Sequence, residues 1–164
     1  MGFEELYDKY FRRVYNYIRY RVLARDAADD LVSAVFEKVL DKFDAFDQGK
    51  PVEPWLFAIA RNTLNDYYRR RAVRVGLSLD GFEESIASGE SVERAAERGE
   101  ENAQLLAAMS GLSEAERELV AMKYALDLSA REIAAQTGLT ESNVGVTLFR
   151  AMKKLRDRLG PEVI

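Results

Sequence analysis

The stretch SAREIAAQTGLTESNVGVTLFRAMKKL, residues 129–155, decides the fold class. Ser129 and Glu132 stand three apart, the spacing of a capping box that opens a helix. Ile133 and Ala134 supply the inward side of that short helix, and Gly138 is placed to end it. Thr140 then caps a second, longer helix whose apolar stripe is Val144, Leu148, Ala151 and Leu155. Gly160 and Pro161 close it. A short helix, a glycine turn and a longer helix form the outline of a helix-turn-helix.

Working outward, Ser113 and Glu116 repeat the capping-box spacing just upstream. Before them a helix rich in Ala and Glu is expected from Ser91 to about Met109, stopped by Ser110 and Gly111. Residues 73–90 hold Gly76, Gly81 and Gly89 without sustained periodicity and read as a linker. Toward the N-terminus, Phe3, Tyr7, Tyr10, Val14, Ile18 and Val22 recur three and four apart, one face of a first helix. A second helix begins near Asp26–Asp30, whose carboxylates suit a helix start, and carries Leu31, Val32, Val35, Phe36 and Leu40. Residues 43–54 read as a loop because of Gly49, Pro51 and Pro54, with Pro54 in the first turn of a third helix. That helix runs through Trp55, Leu56, Ile59, Ala60, Leu64 and Tyr67 to Arg69–Arg71. No strand pattern occurs. The expectation is an all-α chain of two small helical domains, 1–72 and 105–164, joined by a flexible acidic linker at 73–104.

Composition narrows what such a chain can do. Hydrophobic residues make up 48% and charged residues 32% of the 164, enough for a core and an ordinary solvated surface. No apolar run approaches membrane-span length and no signal-peptide pattern opens the chain, so no membrane insertion is expected. With no cysteine there are no disulfides or thiolate metal sites, which suits a reducing cytoplasm. With no histidine the commonest metal ligand and general base are both missing, so the reading is non-enzymatic, with no cofactor. The net charge of −4 is unusual for a simple nucleic-acid binder, but it is unevenly placed. Residues 73–102 carry 3 Lys/Arg against 8 Asp/Glu, whereas residues 1–72 carry 13 against 12 and residues 103–164 carry 8 of each.

Two surfaces are candidates for nucleic acid. In a helix-turn-helix the second helix meets base edges near its N-terminus, here Thr140, Glu141, Ser142, Asn143 and Thr147. Arg150, Lys153, Lys154, Arg156 and Arg158 follow and suit phosphates. An ordinary helical hairpin with a polar face has the same pattern. The second surface is the basic run Arg69–Arg71 with Arg74, after a helix bearing Arg61, Asn62, Asn65, Tyr67 and Tyr68. Cations interleaved with aromatic rings suit a single strand. A helix C-terminus stabilised by positive charge looks the same. The acidic group Asp26, Asp29 and Asp30 reads as a helix start or a partner surface rather than a magnesium site.

In order along the chain, these segments resemble the extracytoplasmic-function branch of the sigma-70 family. Asp29-Asp30-Leu-Val-Ser-Ala-Val-Phe36 is similar to the family's docking segment for the polymerase clamp. Pro54-Trp-Leu-Phe-Ala-Ile-Ala-Arg-Asn62, with Asp66 and Arg69–Arg71, is similar to the helix that reads the −10 element. Leu112 to Val120, Leu128 to Ala134 and Val144 to Leu155 resemble the fourth region, which reads the −35 element. The likeness spans about residues 3–72 and 105–158. It implies a promoter-recognition subunit that catalyses nothing itself. Its partners would be core RNA polymerase, promoter DNA and an anti-sigma factor. Polymerase contacts would fall on Asp29, Asp30, Leu31, Val32, Val35 and Phe36. The −10 contacts would fall on Phe46, Lys50, Trp55, Arg61, Asn62, Asn65, Arg69 and Arg70. Those to −35 would use Arg131, Thr140, Glu141, Ser142, Asn143, Thr147, Arg150, Lys153 and Lys154.

The sequence departs from the family at Ser33 and Ala34, where Gln and an acidic residue are common. Gly145, Val146, Thr147 and Phe149 stand where Lys, Ser, Arg and His are frequent. Fewer cations there predict fewer −35 phosphate contacts and a flatter salt dependence. Two rival readings follow. One is a helix-turn-helix regulator independent of polymerase; the other is a decayed sigma fold that titrates a protein partner.

Overall fold

The structure is a computed structural model and describes residues 1–75 and 103–160. All regular structure among them is helical: α1 (Phe3–Val22), α2 (Arg25–Phe43), α3 (Val52–Val75), α4 (Ala103–Met109), α5 (Glu114–Tyr124), α6 (Ala130–Thr137) and α7 (Glu141–Leu159). The first three form one bundle and the last four a second. The expected helix from Ser91 lies outside the described residues except for its final part, α4.

The N-terminal bundle closes on one apolar seam. Leu6, Val14, Tyr17, Ile18 and Val22 of α1 meet Val35 and Val39 of α2 and Leu56, Phe57, Ala60 and Leu64 of α3, all at 0% exposure. The seam is rotated from the expected stripe: Leu6 and Tyr17 join it, while Phe3 and Tyr7 move to its rim. There Tyr7, Phe11 and Phe36 form a satellite aromatic group, with Tyr7 and Phe36 centroids 4.9 Å apart. Leu40 is exposed as well. α1 ends at Leu23, whose φ of 68° is strained for a branched residue. Its side chain is buried and its carbonyl accepts from the Arg19 guanidinium, which offset that strain. α3 begins at Val52, two residues earlier than expected, because Pro54 in the first turn lacks only an N–H that would have no helical partner.

The C-terminal bundle follows its local signals closely. Both capping boxes form: Ser113 with Glu116, and Ser129 with Glu132, each donating and accepting reciprocally. Gly138, at φ 79°, ends α6 in the left-handed region that favours glycine. Thr140 Oγ1 accepts from the Asn143 N–H at 3.0 Å. Beneath these caps Leu106, Met109, Leu119, Met122, Ile133, Val144, Ala151 and Leu155 fill the core.

The two bundles touch. α1 lies along α5, and ion pairs and hydrogen bonds cross the contact. Arg21, buried to 1% side-chain exposure, pairs with Glu114 and lies 3.6 Å from Glu118. Arg61 Nε donates to Glu118 at 2.6 Å, and Arg61 Nη1 donates to the Gln136 carbonyl at 3.2 Å. Arg13 Nη2 donates to the Leu126 carbonyl at 2.5 Å.

Candidate nucleic-acid and partner interfaces

On α2 the expected polymerase set divides by burial. Asp29 and Asp30 are exposed. Val32, Val35 and Phe36 are at most 5% exposed and belong to the bundle core. They hold α2 on α1 and α3. Leu31 lies between, at 8% exposure on the edge of a groove.

The expected −10 residues fall into three places on and around α3. Phe46 stacks on Trp55 with centroids 4.5 Å apart, and the pair walls an open hollow of about 440 Å³ with Lys50, Pro51 and Pro54. Asn62 and Arg69 share a second hollow with Lys42, Ile59 and Asp66, where Asp66 holds Arg69 at 3.2 Å. Arg70 faces a third, with Tyr67, Arg71 and Arg74. Lys38 and Thr63 line both of the last two, and Lys38 Nζ donates to Thr63 Oγ1 at 3.2 Å. Lys38 and Lys42 come from α2, across the groove, so no motif along α3 could name them. Their mutual spacing of four was the available signal, one face of a helix. Asn65 is half-buried. Arg61 departs from the expected set: it points to the other bundle and is held by Glu118 and Gln136.

The helix-turn-helix presents its expected end. Thr140, Glu141, Ser142 and Asn143 are exposed at the start of α7. Thr147 Oγ1 donates to Asn143 Oδ1 at 3.2 Å, which fixes the amide and leaves its NH₂ outward. Arg131, Arg150 and Lys153 are exposed. Lys154 differs from the expectation: its ammonium pairs with Glu116 at 2.9 Å and ties α7 to α5. Arg158, though exposed, donates to the Ala107 carbonyl at 3.4 Å. Val146 and Phe149 are 47% and 68% exposed, so this helix offers apolar surface where cations were sparse.

Electrostatics agree with the packing. Burial alone would lower the Arg21 guanidinium, but Tyr17, Glu118 and Tyr68 around it outweigh that and raise it. Burial would raise Glu116; the Ser113 backbone, Lys154 and the Ser113 hydroxyl together bring it below the usual range. Glu132 is lowered by the Ser129 backbone and hydroxyl. Among the described residues no helix is long and apolar enough to cross a membrane.

Two helical bundles in this order, the second a helix-turn-helix, define a two-part nucleic-acid-reading architecture. Family models agree with it: residues 6–74 match sigma-70 region 2, and residues 102–155 match sigma-70 region 4. The chain is 34% identical over 98% of its length to the ECF RNA polymerase sigma factor BldN of Streptomyces coelicolor, of whose length it spans 61%. It is 30% identical to SigF of Caulobacter vibrioides, covering 80% of this chain and 70% of that one. With SigM of Bacillus subtilis it shares 29% identity over 95% and 94% of the two chains. The chain belongs to the extracytoplasmic-function sigma factors of the sigma-70 family. In fold it resembles the sigma factor RpoE of Bartonella quintana, solved with the anti-sigma factor NepR. That likeness has a TM-score of 0.73 at 20% identity and covers 97% of each chain. It also resembles CnrH, solved with the cytosolic domain of CnrY, at a TM-score of 0.63 and 24% identity over 94% and 85%.

Proposed function

We propose that this sigma factor binds core RNA polymerase and directs it to promoters without itself catalysing a reaction. Residues 1–72 would dock on polymerase through Asp29, Asp30 and the rim of α2, and would hold the −10 strand. Residues 73–104 would connect the halves, and residues 105–164 would read −35 duplex through Thr140, Glu141, Ser142 and Asn143. Reading a strand requires a base to leave the stack. The Phe46–Trp55 hollow, with Lys50 on its rim, is suited to receive it, offering an aromatic floor and one cation. Asn62, Lys38, Lys42 and Arg69 would hold the flanking backbone. The protein would work in the cytoplasm and take an anti-sigma factor as its inhibitor; the two fold relatives were each solved with such a protein or with a partner's cytosolic domain.

The observation that carries this reading is the order of two family matches, each ending in an exposed polar helix surface of the right type. Transcription in vitro with core polymerase over a promoter library tests it. A run-off product from a subset of promoters is expected. Core binding without any product would instead favour a titrating role. Asn62→Ala should impair promoter opening and spare core affinity, whereas Asp30→Ala should weaken core binding first.

A further inference from the structure

Val146 and Phe149 of α7 are 47% and 68% exposed. Single exposed apolar side chains are ordinary, but residues three apart are neighbours on a helix surface, so these two make one ridge. Helix geometry gives its direction. At about 100° per residue, Ser142, Val146, Phe149 and Lys153 fall within about 60° of one another around the axis. The buried stripe of Val144, Leu148, Ala151 and Leu155 falls on the opposite side. The ridge therefore points straight away from the bundle, the direction in which a recognition helix enters the major groove.

What surrounds the ridge selects its occupant. Ser142 precedes it, and Arg150 and Lys153 follow it, all three exposed. Two cations beside the hydrocarbon favour a polyanion over an apolar pocket on a protein. The major groove has matching chemistry: phosphates along its walls, polar base edges on its floor, and the thymine C5 methyl as the apolar group among them. The centre of this face is also poor in donors. Guanine is read through its O6 and N7 acceptors, most often by Arg or Lys, and neither Gly145 nor Val146 supplies a side-chain N–H. Nearby, Asn143 carries its amide NH₂ outward, which suits adenine, so both features select A·T pairs.

We propose that Val146 and Phe149 set −35 specificity by contact with thymine methyls, so that the element this protein reads carries A·T pairs opposite the ridge. This deepens the −35 role proposed above and rests on it. The methyl is the discriminating group, because cytosine and uracil lack it.

The test uses holoenzyme assembled from core polymerase and the full chain. Selection from promoters randomised over the −35 element should enrich thymine, on either strand, at one or two positions. A selected promoter is then remade with deoxyuridine at each enriched thymine, which keeps the base pair and removes only the methyl. Affinity should fall about fourfold for each contacted methyl. The double variant Val146→Ala/Phe149→Ala, shown to fold by a circular dichroism melt, should bind the thymine and uracil promoters alike, since the contact is already gone. Enrichment without thymine, or equal binding of the two promoters by the wild-type chain, would overturn the proposal and leave the −35 role standing. No enriched −35 sequence at all would remove both. An undiminished methyl effect in the double variant would assign the contact to another residue and overturn the proposal as well. Weaker core binding by the double variant, without any methyl effect in the wild type, would instead place a protein partner on the ridge.

Discussion

The two surfaces expected to read DNA are built differently. The C-terminal one centres on a single helix end: Thr140 caps it, Asn143 and Thr147 brace each other, and exposed Arg150 and Lys153 follow on the same helix. The N-terminal one is a composite, with Asn62 and Arg69 from α3, Lys38 and Lys42 from α2, and an aromatic pair from the preceding loop. A further expected cation, Arg61, is shared with the other bundle. A surface carried by one helix end depends on its own cap and little else. One assembled from several elements depends on the core that holds them, and can be altered from a distance.

The strongest way to break the contrast is to damage the composite's support. Phe57 is fully buried, with its ring 6.1 Å from Tyr10 and under the Arg13 guanidinium. Phe57→Ala should cost about 3–5 kcal/mol, read by urea unfolding. It should abolish strand binding while the −35 surface, assayed on duplex, keeps its preference. Asn143→Ala works the other way. It should change preference at one or two −35 positions by about 1–3 kcal/mol per contact, measured by competition between duplexes. A uniform loss across sequences would mean a backbone contact only.

Smaller effects probe the caps. Ser113→Ala should destabilise the C-terminal bundle by about 1 kcal/mol, seen in its melting temperature. Acid should act through both capping boxes. The folded-state Glu116 and Glu132 carboxyls lie below their ordinary value of 4.5, so their contribution is complete above that pH and is lost as pH falls through the lowered folded values. Glu116→Gln should flatten the acid limb of a stability profile. Smallest is Gly145→Ala. An added Cβ there meets nothing within 4 Å, and helix propensity favours alanine by up to about 1 kcal/mol. Its melting temperature should rise with −35 binding unchanged.

What was legible in the sequence followed the range of the interaction. Both capping boxes, the Gly138 stop and the Val144–Leu155 stripe appear where the local pattern placed them, because each is decided within one or two turns. The seam of α1 was rotated by about one residue, since Phe3 and Tyr7 find a separate aromatic group with Phe11, Phe36 and Phe43. The docking motif on α2 read as one set, although burial divides it: exposed Asp29 and Asp30, buried Val32, Val35 and Phe36. A motif records which residues occur together and says nothing of which side of the helix each takes in packing.

By itself the sequence determined an all-helical chain, its caps and stops, and the motif order that marks a sigma factor, because periodicity and capping are local physics. Tertiary structure decided which cations remain available. Arg61, Lys154 and Arg158 all looked free in a linear reading, and each is claimed by a partner between 38 and 57 residues away. Charge acts across space rather than along the chain, so only the fold could assign them.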